Sequence, residues 1–166
     1  CSEDMLIQMM VGRSLTGFYP KRKVPIGEVV LKVEHLSAGK SVRDVSFYVR
    51  AGEILGFAGL VGAGRRETMR AVFGVDPMDS GRISVNGVSL SHHSPSDAIR
   101  GGIGLVPEDR KLQGLILKMT VRENTTLANM EATRERGFVS RCLEERITRE
   151  YTQKLDIKTP GTEQRV

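Results

Sequence analysis

GEILGFAGLVGAGRRETMRAVF, residues 52–73, is the stretch whose reading decides the fold. Ile54, Leu55, Phe57 and Ala58 make a short apolar run of the kind that fills central parallel strands. Gly59, Gly62 and Gly64 follow, and glycine takes backbone angles that a Cβ forbids. From Arg65 onward, Met69, Val72 and Phe73 recur at helical spacing. The segment therefore predicts a buried strand, a glycine turn and a helix. Such a turn aims several backbone N–H groups at one place, and the helix dipole adds partial positive charge there, which suits phosphate. Gly59-x-x-x-x-Gly64 has the spacing of the nucleotide phosphate loop G-x-x-x-x-G-K-[ST]. The next two residues, however, are Arg65 and Arg66. Arg65 still offers a fork of donors to phosphate oxygens, whereas Arg66 is a cation without an acceptor and cannot hold magnesium. Thr68 comes two positions late, on another side of the helix, and is not assigned the missing hydroxyl role.

Composition bounds what surrounds this loop. The chain has 166 residues, 39% hydrophobic and 27% charged, which fits a folded globular chain of about one domain. No apolar run approaches the ~20 residues of a membrane helix, and CSEDMLIQMM lacks the basic-then-apolar order of a secretory signal. Cys1 and Cys142 offer neither a disulfide framework nor metal spacing, so free thiols in a reducing compartment are expected. The formal charge is +5, yet the basic residues are scattered and aromatics are only 5%, which argues for a solvated basic surface and against nucleic acid as a partner.

Outward from the loop, residues 3–11 read as the end of an amphipathic helix stopped by Gly12, and RSLTGFYPKRKVPIGE as a linker. Residues 29–36 and 41–50 alternate as strands joined by the turn SAGK, with Val29, Leu31 and Val33 on one face of the first and Val42, Val45, Phe47 and Val49 inward on the second. RISVNGVSL reads as a hairpin turning at Asn86-Gly87. Ser94 to Asp97 carries a capping box for a short helix, IGLVP is a second buried strand, and Thr120 to Glu123 is a capping box for a helix to about Met130. Positions 143, 147, 151 and 155 set an apolar stripe on a last amphipathic helix, and DIKTPGTEQRV reads as extended and polar.

Two further groups invite a functional reading. Glu108 and Asp109, in Val106-Pro107-Glu108-Asp109-Arg110, follow the second buried strand, and ligands of open α/β sheets sit at the carboxyl ends of strands. A carboxylate there could position water or a metal; a charged loop making local ion pairs is the simpler reading. His92-His93 lacks any Cys or carboxylate at ligand spacing and reads as a solvated turn, and His35 has no partner that the sequence names.

The run VLKVEHLS…SVRDVSFYVRAGEILGFAGLVGAGRRET…FGVDPMDSGRISVNG…SPSDAIRGGIGLVPEDRKLQGLILKMTVRENTTL resembles the second nucleotide-binding half of the ATP-binding subunits of bacterial monosaccharide ABC importers, of the ribose/galactose/xylose type. GLVGAGR, the DSG–NG hairpin and PEDRKLQGL carry the resemblance, which covers about 29–166. It implies an α/β P-loop ABC-cassette fold: a partial parallel sheet, an antiparallel β subdomain and part of the helical subdomain. It implies residues 1–27 as the tail of a preceding cassette with its linker, and 28–166 as the first part of the second cassette. The phosphate loop would be Gly59, Leu60, Val61, Gly62, Ala63, Gly64, Arg65 and Arg66. Arg65 stands where such halves often carry Arg, while Arg66 departs from their Thr. Glu108 stands at the Q-loop position, where a Glu is ordinary in this subfamily.

ATP is the cofactor the resemblance implies; magnesium loses its usual hydroxyl at Arg66. The implied partners are a transmembrane sugar permease, reached through the loop at residues 107–125, the other nucleotide-binding cassette and, indirectly, a periplasmic sugar-binding protein. The implied place is the cytoplasmic face of the bacterial inner membrane. The aromatic that usually stacks on adenine has no counterpart in Ser37-Ala38-Gly39-Lys40, and the 166 residues contain no LSGGQ signature, Walker B strand or switch His, so hydrolysis by this chain alone is not expected and no catalytic residue is assigned. A non-catalytic, nucleotide-holding or dimer-scaffolding cassette is the alternative. A P-loop GTPase or kinase fits less well, because hairpin strands precede the loop and no NKxD motif appears.

Overall fold

Alternating valines and leucines make strands β1 (Val29–Ala38) and β2 (Val42–Arg50), which pair antiparallel around the turn at residues 39–41. The computed structural model describes residues 24–90 and 94–166, together with Met5, Met9 and Met10. The three methionines are helical and exposed; the rest of the expected N-terminal helix, the basic linker cluster at 21–23 and His92-His93 lie outside the described residues. The chain divides into two compact units, Cys1–Gly104 and Leu105–Val166.

In the first unit, β3 (Ser80–Val85) pairs antiparallel with β1, and β4 (Val88–Ser89) returns from the Asn86-Gly87 turn, giving the order β2-β1-β3-β4. Asn86 and Gly87 both have positive φ, 49° and 79°, as a two-residue hairpin turn demands. One sheet face packs on helix α1 (Arg65–Phe73). Val33, Leu36, Ala38, Val42 and Ile83 from the sheet and Ala71 and Val72 from α1 form the core, with Phe47, Val45 and Leu31 half-buried against it. Truncating Ile83 to Ala would cost about 2–5 kcal/mol by the usual cavity penalty. Gly74 ends α1 in the left-handed region, its N–H donating to the Ala71 carbonyl, and a Cβ there would strike the Ser94 backbone. Arg70 forks onto Asp76 just beyond (Nε to Oδ2 2.8 Å, Nη2 to Oδ1 2.7 Å), holding the Asp76 carboxyl below its ordinary value. Helix α2 (Pro95–Arg100) starts as the sequence predicts: Ser94 Oγ accepts the Asp97 N–H.

The antiparallel subdomain and its helix therefore form as expected, but the two central strands do not. Residues 53–60 and 103–107 have no regular structure, Ile54 is 98% exposed, and among the described residues no strands pair in parallel. Their apolar character is that of strands buried on both faces, but a strand is held by a hydrogen-bonded neighbour, and none of the described residues supplies one. Phe57 alone finds an aromatic seat, meeting Phe47 edge-on at 5.0 Å.

The second unit is helical. Thr120 and Glu123 form the reciprocal capping box that starts α3 (Val121–Leu127). A 3-10 turn (Met130–Thr133) and the small hairpin β5 (Arg134–Glu135) and β6 (Phe138–Val139) lead to α4 (Arg141–Lys154). The stretch Arg110–Gly114, expected as loop, forms a π-helical turn whose cap, Asp109, accepts the Lys111 and Leu112 N–H groups.

Helix α4 forms where expected, but its inward face lies one residue round from the expected stripe. Glu144 and Thr148 are buried, whereas of the predicted apolar stripe Leu143 and Ile147 are half-buried, Tyr151 is 46% exposed and Leu155 67%. The reason is Arg122. Its guanidinium, buried on α3, is held by Glu144 and by Glu163 (Nε to Oε1 2.7 Å), and Thr126 Oγ1 donates to the second Glu144 oxygen at 2.8 Å. A buried cation must be paired, and that requirement turns the polar side of α4 toward α3. The C-terminal residues, expected as extended polar chain, form a strap. Val121 and Arg122 N–H groups donate to the carbonyls of Gln164 and Thr162 at 2.8 and 2.9 Å, and Thr120 bridges Arg165.

Candidate functional site

The glycine loop stands between residue 58 and the first turn of α1, and each of its ends is set by a different contact. At the helix end, Gly64 is the cap, with φ 81° and no side-chain capping bond, so no side chain competes for the first-turn N–H groups. A Cβ on Gly64 would strike the Ser41 carbonyl. Ser41 belongs to the β1–β2 turn, and that turn is fixed by Asp79, whose carboxylate accepts the Gly39 N–H at 2.7 Å while its own N–H donates to the Ser37 carbonyl at 2.8 Å. The loop is thus buttressed by residues some 23 positions earlier in the chain, a contact no local sequence signal announces. Inside the loop, the Ala63 N–H donates to Leu60 carbonyl at 3.1 Å and Gly62 takes φ 83°, so the chain turns with its amides on a tight arc. Leu60 and Val61 project into solvent.

Arg65 and Arg66 are the first two helical residues, and both are exposed. Arg65 folds back on the loop: its Cδ and Nε lie 3.6 and 3.8 Å from where a Cβ on Gly59 would stand. Any side chain at Gly59 would meet this stem and the Ala63 methyl. Thr68, the nearest hydroxyl after the loop, is buried and donates to the Gly64 carbonyl at 2.7 Å. It serves the helix's own first turn and is turned away from any ligand of the loop.

The other sequence candidate, Glu108, lies in the second unit, exposed, just before the Asp109-capped turn. Beyond it Leu112, Ile116 and Leu117 are exposed and Leu115 nearly as much, while Asn124 of α3 holds the loop's end, accepting the Ile116 N–H at 2.8 Å and donating to its carbonyl at 3.1 Å. His35 does have a partner: its Nδ1 meets Asp44 Oδ1 at 2.7 Å. Both are exposed surface groups on the sheet rather than members of the loop. Among the described residues no cluster of three or more His, Cys, Asp or Glu stands ready to hold a metal.

With this geometry in hand, comparison with known proteins is direct. Residues 42–164 match the family described as ABC transporter. The chain is 49% identical over 164 residues to ribose import ATP-binding protein RbsA 3 of Rubrobacter xylanophilus, covering 99% of this chain and 33% of that protein. It is 44% identical over 161 residues to ribose import ATP-binding protein RbsA of Lactococcus lactis subsp. lactis, 97% and 32% covered, and 50% identical over 155 residues to its Rhodococcus jostii counterpart, 93% and 31% covered. The chain thus spans about a third of the length of the curated relatives it matches. Among solved structures, a bacterial Atm1-family ABC exporter superposes over 86% of this chain and 24% of its own with a TM-score of 0.57 at 20% identity, a likeness of fold.

Proposed function

Since this chain belongs to the ABC transporter family, we propose that it is part of the ATP-binding, energy-coupling subunit of a sugar importer, in keeping with the ribose import ATP-binding proteins it resembles. The observation that carries this reading is the buttressed glycine loop at the start of α1: Gly64 as an uncapped helix start pressed on Ser41, with Arg65 folded over Gly59. In this reading Gly59 to Arg66 bind the polyphosphate of ATP. The amides of the arc and the first turn donate to phosphate oxygens, the dipole of α1 favours their charge, and Arg65 swings from Gly59 to add its fork of donors. Residues 28–166 are then the first part of a second cassette and 1–27 the end of what precedes it.

The coupling surface is the segment from Glu108 to Met119, whose exposed Leu112, Ile116 and Leu117 suit an apolar partner. That partner is a transmembrane permease, which draws the subunit to the cytoplasmic face of the membrane. No helix among the described residues is long and apolar enough to cross one. The remaining partners are a second nucleotide-binding cassette and, through the permease, a periplasmic sugar-binding protein. Arg66 favours a cassette that holds nucleotide and shapes the pair of cassettes rather than hydrolysing it. Titration with ATP by calorimetry tests the site: binding that Gly64→Ala abolishes supports it, and binding unchanged in that variant places the nucleotide elsewhere.

A further inference from the structure

Magnesium is the metal that an ATP site of this family implies, and the donor set of this loop does not fit it. The position that would bring a hydroxyl to the metal is Arg66, which has no lone pair to give. Thr68, the only hydroxyl in α1, is buried and committed to the Gly64 carbonyl at 2.7 Å, and reaching a ligand would mean breaking that bond and turning out of the core. Ser41 presses its carbonyl on Gly64 from the β1–β2 turn, at the helix end of the loop. What the loop has instead is charge: two adjacent arginines, both exposed residues, at the positive end of a nine-residue helix, one of them folded across the glycine that opens the loop.

We infer that this loop takes a polyphosphate stripped of its magnesium, with Arg65 and Arg66 supplying the positive charge that the metal supplies elsewhere. The inference rests on the reading of residues 59–66 as a phosphate site. A guanidinium pairs two oxygens at once and is weakly hydrated, so it neutralises bare phosphate well. A magnesium complex presents less negative charge to the same two cations and brings a hydrated metal toward Arg66, where like charges repel. The ligand class is therefore the free nucleoside polyphosphate, and inorganic tripolyphosphate shares its chemistry.

Calorimetric titration of the protein with ATP and with tripolyphosphate, each in EDTA and in excess magnesium chloride, tests this. The expected result is tighter binding in EDTA, by about threefold or more for both ligands. Arg66→Thr, with its fold checked by circular dichroism, should reverse the order so that magnesium tightens ATP. Wild-type binding that magnesium tightens by about threefold or more overturns the inference while leaving the phosphate site standing. An Arg66→Thr variant that still prefers EDTA as the wild type does overturns the role given to Arg66. No binding of either ligand under either condition overturns the reading of the site itself, and the inference with it.

Discussion

His35 and Asp44 face one another across β1 and β2, ring Nδ1 to carboxylate Oδ1 at 2.7 Å, and both hold left-handed backbone, φ 52° and 51°. Each backbone is fixed by a serine of the opposite strand: the His35 N–H donates to Ser46 Oγ at 2.9 Å and the Asp44 N–H to Ser37 Oγ at 3.0 Å. The pair is a double bulge. It shifts the register between Val33 and Leu36 and again between Leu36 and Ala38, so that Leu36 lies opposite Val45 and Ala38 opposite Val42. Gly81 of β3 passes so close that a Cβ would sit 2.7 Å from the Leu36 Cα. The bulge thus shapes the turn that carries Ser41 to Gly64.

Backbone angle, not the ion pair, is what these two positions contribute. Both side chains are mostly exposed, and exposed pairs are worth little. Asp44→Gly is expected to leave stability within about 0.5 kcal/mol of wild type, because glycine takes positive φ freely. Asp44→Val is expected to cost about 1–2 kcal/mol, because a β-branched residue resists the left-handed region. Urea denaturation distinguishes the two; equal losses would mean that the side-chain contact matters and the angle does not.

Much of this is legible in the sequence, for reasons that can be named. The sequence places Val42, Val45, Phe47 and Val49 inward although 42 and 45 break the alternation, and that break of parity is the imprint of the bulge at Asp44. The caps at Ser94 and Thr120 and the turn at Asn86-Gly87 are local chemistry, and each stands where its residues put it. Partnerships distant in sequence were not legible: Ser41 against Gly64, Asp79 on Gly39, His35 with Asp44. The apolar stripe of α4 misled because periodicity weighs only hydrophobicity. Arg122, whose demand for Glu144 turns the helix, lies 22 residues away.

The strap at residues 162–166 should loosen in acid. Its bond to Arg122 holds the Glu163 carboxyl below the ordinary carboxylate value of 4.5, with the charge of Arg141 adding to the effect. A carboxylate whose folded pKa is depressed contributes stability that is complete above its unfolded value and is lost as the pH falls through the folded one. Hydrogen exchange at the Val121 and Arg122 amides, which donate to the strap, is therefore expected to lose protection as pH drops below about 4.5, after correction for intrinsic exchange. Glu163→Gln should show the looser state at neutral pH and flatten the dependence. Protection with the same pH dependence in both proteins would assign the strap to its backbone bonds alone.

Two threonines that look alike should respond in opposite ways. Thr126 Oγ1 donates to Glu144, whose other oxygen holds Arg122. Thr126→Val leaves a buried carboxylate short of a donor and is expected to cost about 1–3 kcal/mol. Thr152 Oγ1, on the inward side of α4, is buried without a hydrogen-bond partner among the described residues. Thr152→Val removes an unsatisfied hydroxyl at nearly constant volume and is expected to be neutral or stabilising by up to about 1 kcal/mol. Thermal melts of the two variants, compared directly, settle the ordering; a larger loss at Thr152 would show that its hydroxyl has a partner after all.

Ile54 puts the meaning of the opening stretch to the test. Its sequence context is that of a central strand, yet the side chain is 98% exposed and, among the described residues, no backbone hydrogen bond engages residues 54–59. In this chain, then, Ile54→Lys removes no buried area and is expected to change stability by no more than about 0.5 kcal/mol. It should also raise solubility, since an extended apolar segment with open backbone groups is a template for pairing between molecules. Urea midpoints and light scattering against concentration measure both effects. In a longer polypeptide that supplied a neighbouring strand, the same lysine would face a filled core, and the cost would rise to that of an unpaired buried charge, several kcal/mol by the usual scale. The difference between the two measurements is a direct reading of whether residues 54–58 complete a sheet, and a large loss in the 166-residue chain itself would show the strand already formed there.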